Sequence, residues 1–330
     1  MPPFRLGMLG MWHSHAEGIV KRVAEHPEEF RLEGFWDPEP DVVRDRAGRW
    51  KALIPGLRLH DGPGNLLREK LDGVVVEGRV HENLKWARMA LESGYPVMLE
   101  KPAGDSLDEH RRLIELARAK HLHVQMIYLF RYMSATLEML KFARSGEMGH
   151  IYEFRARLPK DLPSYERFED ELRRYAGGIF FEMAGHVIDM MMAVLGPPRK
   201  VTPHLAHHHS RPGTFVDNGL AVFEFERAWG IIEVPAIETA PNSRRIEVYG
   251  TKGSCVIPHL GSGHLKNKDI QPIEVYRGKE WERLELPAAT LQIADLREFA
   301  ASISRKKEPD YSLEHDLAVQ DALLRASRMV

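Results

Sequence analysis

The order of strand-like and helix-like segments constrains the fold of this chain most. Between residues 4 and 127, short apolar runs such as Phe4–Leu9, Gly73–Val76 and 96–99 alternate with longer amphipathic segments. A chain that passes through a helix after each strand builds a parallel sheet with helices on both faces. The sequence therefore predicts a doubly wound α/β domain over residues 1–125.

The second half of the chain follows a different pattern. Strand-like segments succeed one another without helices between them, and several, such as residues 222–226, alternate apolar and polar side chains. These segments cover residues 151–158, 220–226, 229–237, 243–249, 254–257 and 272–276. Antiparallel strands with helices to one side are typical of α+β domains. We therefore predict an α+β domain over residues 126–330, whose C-terminal helices at 294–304 and 312–328 can pack back on the first domain.

Charge and cysteine content exclude several classes of protein. The 46 Lys and Arg residues face 48 Asp and Glu residues, and the formal net charge of -2 argues against nucleic acid as a partner. The single cysteine, Cys255, excludes an internal disulfide and a cysteine-rich metal site. The most apolar long stretch, 183–196, carries His186 and Asp189 and is too short to cross a bilayer, so we expect no membrane partner. No export signal is recognised, and a cytoplasmic protein is expected.

The turn after the first strand is a candidate phosphate-binding loop. The pattern G-x-G-x-x-G lets the backbone approach a pyrophosphate at a helix N-terminus, but the frame GMWHSH starting at Gly10 keeps only the first glycine. Ser14 is predicted to cap the helix that follows. Asp37 ends the second strand, where an acidic side chain binds the adenine ribose hydroxyls. An ordinary turn at Gly10 and a turn cap at Asp37 are the alternative interpretations.

A charged triplet, Glu100-Lys101-Pro102, directly follows the strand at 96–99. A parallel strand delivers its C-terminal residues to the ligand-binding edge of the sheet. The proline biases the backbone of Lys101 toward an extended conformation, which restricts where its side chain points. This position favours a functional role over the alternative, a solvated charged loop.

A third candidate follows Gly177-Gly178. If the chain is helical there, Glu182, His186 and Asp189 share one polar stripe. A Glu–His pair four residues apart suits acid–base chemistry near neutral pH, because imidazole titrates in that range. A salt-bridged helix fits the same spacing, and so does a zinc site that lacks a local third ligand.

The 17 histidines raise the question of a metal site. Residues 204 and 207–209 form one histidine cluster, and His13 and His15 form another. Three adjacent histidines cannot all face one ion from a regular strand, because neighbouring side chains alternate faces. We therefore expect an exposed loop at 207–209 and no bound metal.

Taken together, these segments resemble the Gfo/Idh/MocA oxidoreductases, the relatives of glucose–fructose oxidoreductase and inositol dehydrogenase. Each segment alone is modest, whereas their order along nearly the whole chain is specific. The segments are the Gly10 turn, 72–76, 100–102, 131–132, 145–151, 177–178, 186–189, 195–196, 249–254 and 296–299.

The resemblance implies an N-terminal Rossmann domain that binds NAD or NADP. Asp37 favours NAD because a carboxylate repels a 2′-phosphate, while Arg44 and Arg46 in the next helix leave NADP open. The implied C-terminal domain has a large open, mainly antiparallel sheet that covers the nicotinamide and mediates a homo-oligomer, a dimer or tetramer. The expected cofactor-binding residues are Gly10, Met11, Trp12, His13, Asp37, Glu77, Gly78, His81, Glu100 and Lys101.

The resemblance also implies a reaction: hydride transfer between the nicotinamide and a secondary alcohol of a sugar, polyol or related small molecule. Lys101 matches the motif lysine, His186 matches the motif histidine that acts as base, and Glu182 stands where the family has Asp. The candidate substrate-binding residues are Arg131, Arg155, Tyr165 and Asp189.

Departures from the family pattern leave other functions open. Trp12 and His15 replace glycines, and Glu77-Gly78-Arg79 replaces a commoner Thr-Pro-Asn turn, although His81 is retained. One alternative is an NAD-dependent glycosidase without net redox change, and another is a cofactor-binding protein without catalysis.

Overall fold

The computed structural model describes residues 2–161, 165, 168–209, 214–239, 243–260, 268–289, 291–304 and 307–330. It divides into two compact units. The first comprises Met1–Ile127 with Gln292–Leu317, and the second comprises Tyr128–Leu291 with Ala318–Val330.

The first unit contains a six-stranded parallel sheet. Its strand order, β3-β2-β1-β4-β5-β6, is that of the doubly wound dinucleotide-binding fold. The strands are β1 Phe4–Leu9, β2 Phe30–Trp36, β3 Arg58–Leu59, β4 Gly73–Val76, β5 Val97–Glu100 and β6 Val124–Ile127. The α/β prediction for this part of the chain is confirmed.

Helices follow the strands of this unit in turn. They are α1 Ser14–Glu25, α2 Pro40–Leu53, α3 Pro63–Leu66, α4 Val80–Glu92 and α5 Leu107–Ala119. The predicted cap of α1 is wrong by one residue: His13 is the N-cap, and its side chain accepts a hydrogen bond from the His15 amide. Imidazole nitrogen thus takes the role that a serine oxygen commonly fills.

The core of the first unit is built around β4, whose four residues are all buried. Helix α9, Leu291–Ile303, contributes Phe299 to this core. A Cβ at Gly73 would lie 2.6 Å from the Phe299 ring, so only glycine allows this close approach.

The second unit contains an eight-stranded sheet in the order β14-β13-β12-β11-β7-β10-β9-β8. Strands β10 and β7 run parallel and the other neighbours are antiparallel, as predicted for a mainly antiparallel sheet. The strands are β7 Ile151–Arg157, β8 Lys200–Ala206, β9 Asn218–Glu224, β10 Trp229–Pro235, β11 Arg245–Gly250, β12 Ser254–Ile257, β13 Ile270–Tyr276 and β14 Trp281–Pro287.

The helices of the second half are α6 Ser134–Arg144, α7 Glu169–Leu172 and α8 Gly178–Leu195, and the chain ends with α10 Leu313–Ala326. Among the described residues, α8 alone is long and apolar enough to span a membrane by length and composition, but 78% of it is buried inside the protein. It is therefore the core helix of its unit, packed against β9 and β10.

Candidate active site

The carboxyl ends of β1, β2, β4 and β5 meet at one edge of the first sheet, because neighbouring parallel strands end on the same side. The sequence-predicted cofactor residues follow these four strand ends. In the first unit, this edge is therefore where the predicted chemistry converges.

Gly10 turns the chain at the end of β1. Its φ is +85°, and a Cβ at this position would lie 2.3 Å from the amide nitrogen of Gly78. Both the left-handed backbone and the contact with the β4 turn require glycine. The one glycine kept from the fingerprint is thus the one that lets the two turns touch.

Arg46, on α2, fixes the conformation of the rest of this turn. Its guanidinium donates hydrogen bonds to three consecutive carbonyl oxygens, those of Met11, Trp12 and His13. The donor–acceptor distances to Trp12 and His13 are 2.9 and 2.7 Å. A rigid planar cation thereby replaces the support that a glycine-rich turn obtains from close packing.

Asp37 lies directly after β2 and is only 7% exposed. Its carboxylate accepts hydrogen bonds from the backbone amides of Met11, at 2.6 Å, and Glu39, at 2.8 Å. Burial raises the pKa of Asp37 to about 6 in spite of these two bonds. The side chain therefore acts as a turn cap, one of the two interpretations of Asp37. Its place at the end of β2 is also compatible with the other interpretation, binding of the adenine ribose.

Trp12 stands where the fingerprint has its second glycine. The guanidinium of Arg79 lies 4.9 Å from the centre of its ring, and Arg79 also makes two hydrogen bonds to the Glu39 carboxylate, at 2.5 and 2.7 Å. The Trp12 ring, the Arg79 guanidinium and the Glu39 carboxylate are thus linked beside the turn by a cation–π contact and an ion pair.

Buried carboxylates and imidazoles gather where β4 and β5 end. Glu77 is 0% exposed and Glu100 is 1% exposed. The Nδ1 atom of His13 lies 3.6 Å from Glu77 and 3.3 Å from Glu100, and His15 Nδ1 lies 2.9 Å from the other oxygen of Glu100. The Nζ atom of Lys101, itself 1% exposed, is 3.9 Å from Glu100.

The pKa values of the two carboxyl groups in this cluster shift in opposite directions. Burial, together with the charge of Glu100, raises the pKa of Glu77 to about 8. Burial also acts on Glu100, but the neighbouring His13, His15 and Lys101 outweigh it and lower the pKa of Glu100. Two interacting carboxyl groups commonly divide their charge in this way, one ionised and one protonated near neutral pH.

Two more predicted residues of the cofactor edge lie at the start of α4. Gly78 is buried, and a Cβ there would approach the Asn83 side chain to 3.3 Å. The amide of Asn83 is fully buried, and neither of its polar atoms has a hydrogen-bond partner in the described part of the chain. His81 is exposed in the first turn of α4.

These observations fit a bound dinucleotide at the sheet edge. The Gly10 turn leads into the N-terminus of α1, Asp37 directly follows β2, and Asn83 has a buried amide without hydrogen bonds to the described residues beside Gly78. Helix N-termini and strand ends of this kind hold pyrophosphate and ribose in doubly wound sheets.

His186 is buried in the middle of α8, within the second unit. Its ring lies 4.6 Å from the ring of Phe130 and 6.0 Å from that of Tyr128. Glu182, one turn earlier, is partly exposed. The predicted polar stripe is therefore an interior face of the helix, because α8 is buried on nearly all sides.

Two of the expected substrate residues, Arg131 and Asp189, pair with each other. The guanidinium of Arg131 makes two hydrogen bonds to the Asp189 carboxylate, at 3.0 and 2.7 Å, and the two side chains are 1% and 0% exposed. This buried pair joins α8 to the 3-10 turn Leu129–Tyr132.

The remaining substrate candidates differ in their surroundings. Tyr165 is 8% exposed, and its hydroxyl lies 3.1 Å from the sulfur of Met183. Arg155 is exposed on β7, where its Nε lies 3.5 Å from Glu153. Among the clustered histidines, His204 is on β8, while 207–209 form the exposed loop expected from the sequence.

Matches to family models cover most of the chain. Residues 4–128 match the oxidoreductase family with an NAD-binding Rossmann fold, and residues 136–256 match the GFO/IDH/MocA C-terminal domain. The chain belongs to the Gfo/Idh/MocA oxidoreductase family.

Relatives of this family include enzymes of sugar and polyol metabolism. The chain is 27% identical over 269 residues to scyllo-inositol 2-dehydrogenase (NAD(+)) of Bacillus subtilis, a match that covers 79% of this chain and 74% of that enzyme. It is 26% identical over 276 residues to dTDP-3,4-didehydro-2,6-dideoxy-alpha-D-glucose 3-reductase of Streptomyces violaceoruber, covering 81% and 78%. Matches to several other curated relatives span 58% to 70% of their lengths.

Solved structures share the same fold. GenD2 from gentamicin A biosynthesis, crystallised in complex with NAD, superposes with a TM-score of 0.81 at 18% identity, over 100% of this chain and 94% of GenD2. This chain therefore shares its fold with a protein that has been crystallised with NAD.

Three residues of the sheet edge were not among the predicted cofactor-binding residues. Arg46 was noted only as a possible 2′-phosphate ligand, but its guanidinium is engaged by the turn carbonyls. Arg79 and Asn83 were not predicted as site residues either. A polar residue inside the buried face of α4 was a signal for Asn83, whereas no sequence spacing pairs Arg46 with the Gly10 turn.

Proposed function

We propose that this family member is an NAD-dependent dehydrogenase that oxidises a secondary alcohol of a sugar, polyol or related hydroxylated small molecule. The observation that carries the proposal is Asp37, a nearly buried carboxylate at the end of β2 that is bonded to the β1 turn. A carboxylate there accepts hydrogen bonds from ribose hydroxyls and repels a 2′-phosphate.

The surroundings of Asp37 favour NAD over NADP. Arg46, which would otherwise be a cation for a 2′-phosphate, is engaged by the turn carbonyls. Arg44 forms an exposed ion pair with Asp41. The related scyllo-inositol 2-dehydrogenase is named for NAD(+), and GenD2 was crystallised in complex with NAD.

Lys101 and His186 are proposed to act on the substrate hydroxyl. When bound, the cofactor supplies a hydride acceptor at its nicotinamide. Neutral His186 accepts the hydroxyl proton, and the Lys101 ammonium stabilises the developing negative charge on the oxygen. Glu182, four residues before His186, is proposed to hold the imidazole in position.

The substrate class and the biological setting are also proposals. The inositol dehydrogenase and the deoxysugar reductase among the relatives support a ring-shaped polyhydroxylated substrate. We further propose a homo-oligomer, a dimer or tetramer, that forms through the sheet of the second unit, and a cytoplasmic location.

The proposed function is tested by separating binding from turnover. Calorimetric titration with NAD and NADP should show tighter binding of NAD. Asp37→Ser should reduce the difference between the affinities for NAD and NADP. A panel of inositols and sugars should then yield NADH. Lys101→Met and His186→Asn should each lower kcat by about 10²- to 10⁴-fold. NAD affinity should stay unchanged in His186→Asn, and His204→Asn should have no effect on either quantity.

The alternatives give different results in the same experiment. Product formation from glycosides without net NADH would replace the dehydrogenase with a glycosidase-type reaction. Tight NAD binding without turnover of any polyol or sugar would contradict catalysis. Stronger binding of NADP than of NAD would contradict the role given to Asp37.

A further inference from the structure

The side chains of His13, His15, Glu77 and Glu100 meet at the carboxyl edge of the first sheet, although they come from three separate strand ends. His13 and His15 lie at the start of α1, Glu77 follows β4, and Glu100 ends β5. One imidazole nitrogen from each of His13 and His15 and a carboxylate oxygen of Glu100 all lie within 4.8 Å of one another. None of these contacts is needed for the role proposed for Asp37.

The separations between these atoms match the edges of a metal coordination shell. The distances from His13 Nδ1 to Glu100 and Glu77 are 3.3 and 3.6 Å, and His15 Nδ1 is 2.9 Å from Glu100. Ligand atoms about 2.0–2.2 Å from a tetrahedral ion lie about 3.3–3.5 Å apart, and octahedral neighbours lie about 3 Å apart. One ion can therefore bridge these groups by replacing the hydrogen bond between His15 Nδ1 and Glu100.

A second observation concerns the oxygen atoms of the two buried carboxyl groups. Both carboxylate oxygens of Glu77 and one oxygen of Glu100 are buried, and none of the three has a hydrogen-bond partner in the described part of the chain. The Lys101 ammonium lies 3.9 Å from Glu100. Buried carboxylates are normally paired, hydrogen-bonded or bound to a metal.

The backbone already holds the histidines in place. The amide of His13 donates to the Glu77 carbonyl oxygen at 3.0 Å, and its own carbonyl oxygen accepts from Arg46 at 2.7 Å. The His15 amide donates to His13 Nδ1 at 3.3 Å, a bond that requires this nitrogen to be unprotonated. A metal ion bound at His13 Nδ1 would take the place of this hydrogen bond, because the nitrogen has a single lone pair.

We propose that His13, His15 and Glu100 bind one divalent transition-metal ion of the Zn²⁺ class, with Glu77 as a fourth ligand. Two imidazoles with carboxylates suit zinc, cobalt, iron or manganese, whereas calcium and magnesium prefer oxygen ligands throughout. The proposal revises the expectation of no metal. The sequence placed His13 and Glu100 at the same edge of the sheet but did not indicate that their side chains meet.

Direct metal binding tests the proposal without reference to the dehydrogenase reaction. The full-length protein is stripped with a chelator and titrated calorimetrically with Zn²⁺ alone, while elemental analysis gives the stoichiometry. One ion per chain is expected. His15→Ala should weaken binding at least 100-fold, a larger loss than the 10- to 100-fold typical of groups that only orient a ligand.

The chain offers a matched control. The Nδ1 atom of His26 lies 3.6 and 3.5 Å from oxygens of Glu28 and Glu29, but this cluster is on the surface, with the Glu28 side chain 68% exposed. His26→Ala should leave zinc affinity unchanged. Loss of binding in His26→Ala, or binding by His15→Ala within about twofold of the unaltered protein, would overturn the proposal.

A spectroscopic measurement on the unaltered protein covers the case in which a variant fails to fold. Loaded with Co²⁺, the protein should show visible d–d bands of a low-coordinate site, and X-ray absorption of the zinc form should show nitrogen and oxygen ligands with histidine scattering. An all-oxygen shell, sulfur from Cys255, or less than stoichiometric zinc would each overturn the assignment. NAD affinity, measured separately, decides the proposed function on its own.

Discussion

Substitution of Asp189 should lower the free energy of unfolding of the second unit more than almost any other single change. Its carboxylate is fully buried and accepts two hydrogen bonds from Arg131, whose guanidinium also lies 4.8 Å from the centre of the Tyr128 ring. In Asp189→Leu the guanidinium stays buried without its counter-charge. Loss of one partner from a buried pair lowers the free energy of unfolding by about 3–5 kcal/mol.

The double variant Arg131→Leu/Asp189→Leu separates the two sources of this loss. It removes the stranded charge together with the pair, and such apolar replacements are often neutral or even stabilising by about 1–4 kcal/mol. The double variant should therefore be more stable than Asp189→Leu alone. Its remaining deficit reflects the lost contact between Arg131 and the Tyr128 ring.

Urea unfolding, followed by circular dichroism, measures the free energies, and hydrogen exchange in α8 locates the change. The exposed pair Lys200–Glu224, with an Nζ–Oε1 distance of 2.8 Å, is the control, and its loss should lower stability by less than about 1 kcal/mol. The reasoning is refuted if Asp189→Leu is as mild as the control. It is equally refuted if the double variant is less stable than the single one.

Three further predictions concern the sheet edge. Gly10→Ala should lower the free energy of unfolding by more than about 2 kcal/mol, because left-handed strain of about 1–2 kcal/mol adds to a clash with Gly78. Gly94→Ala is the control in the same urea titration. Gly94 has a φ of +89° and no neighbour within 4 Å of an added Cβ, so this variant should show the strain alone. The pKa of Asp37 is about 6 in the folded protein, against 3.8 in the unfolded chain. As the pH rises from 4 to 7, the free energy of unfolding of the ligand-free protein should therefore fall by about 2 kcal/mol relative to that of Asp37→Asn. Parallel stability curves for the two proteins would contradict this. Arg46→Met should release the carbonyls of the Gly10 turn and weaken NAD binding by about tenfold or more in calorimetry, and an unchanged affinity would show that the turn keeps its shape without the cation.

Much of the fold was predictable because its buried strands and amphipathic helices carry strong periodic signals. The run Gly73–Val76 is a strand with all four residues buried, and its limits agree with the prediction. Strands β8 and β14 were missed. Both lie at the ends of the eight-stranded sheet, where edge strands are exposed and polar and tolerate proline such as Pro203.

Helix α6 was also missed, although its buried Met139 and Phe142 stand at helical spacing. In this case the signal was present in the sequence. For the candidate site, strand ends indicated Asp37, Glu77 and Glu100 because the topology of a parallel sheet brings such ends together. The pairing of Arg131 with Asp189 joins residues 58 positions apart, and helical spacing alone made Asp189 look like part of a polar face.

The attachment of Arg46 to three successive carbonyls changes which positions of the nucleotide loop are free to vary. With the backbone held from α2, small residues are needed only where the loop touches its neighbour, at Gly10 against Gly78. Side chains as large as those of Trp12 and His15 can then occupy former glycine positions and acquire contacts of their own. In relatives that keep this arginine, substitutions in the loop should be tolerated, whereas loss of the arginine should require the glycines to return.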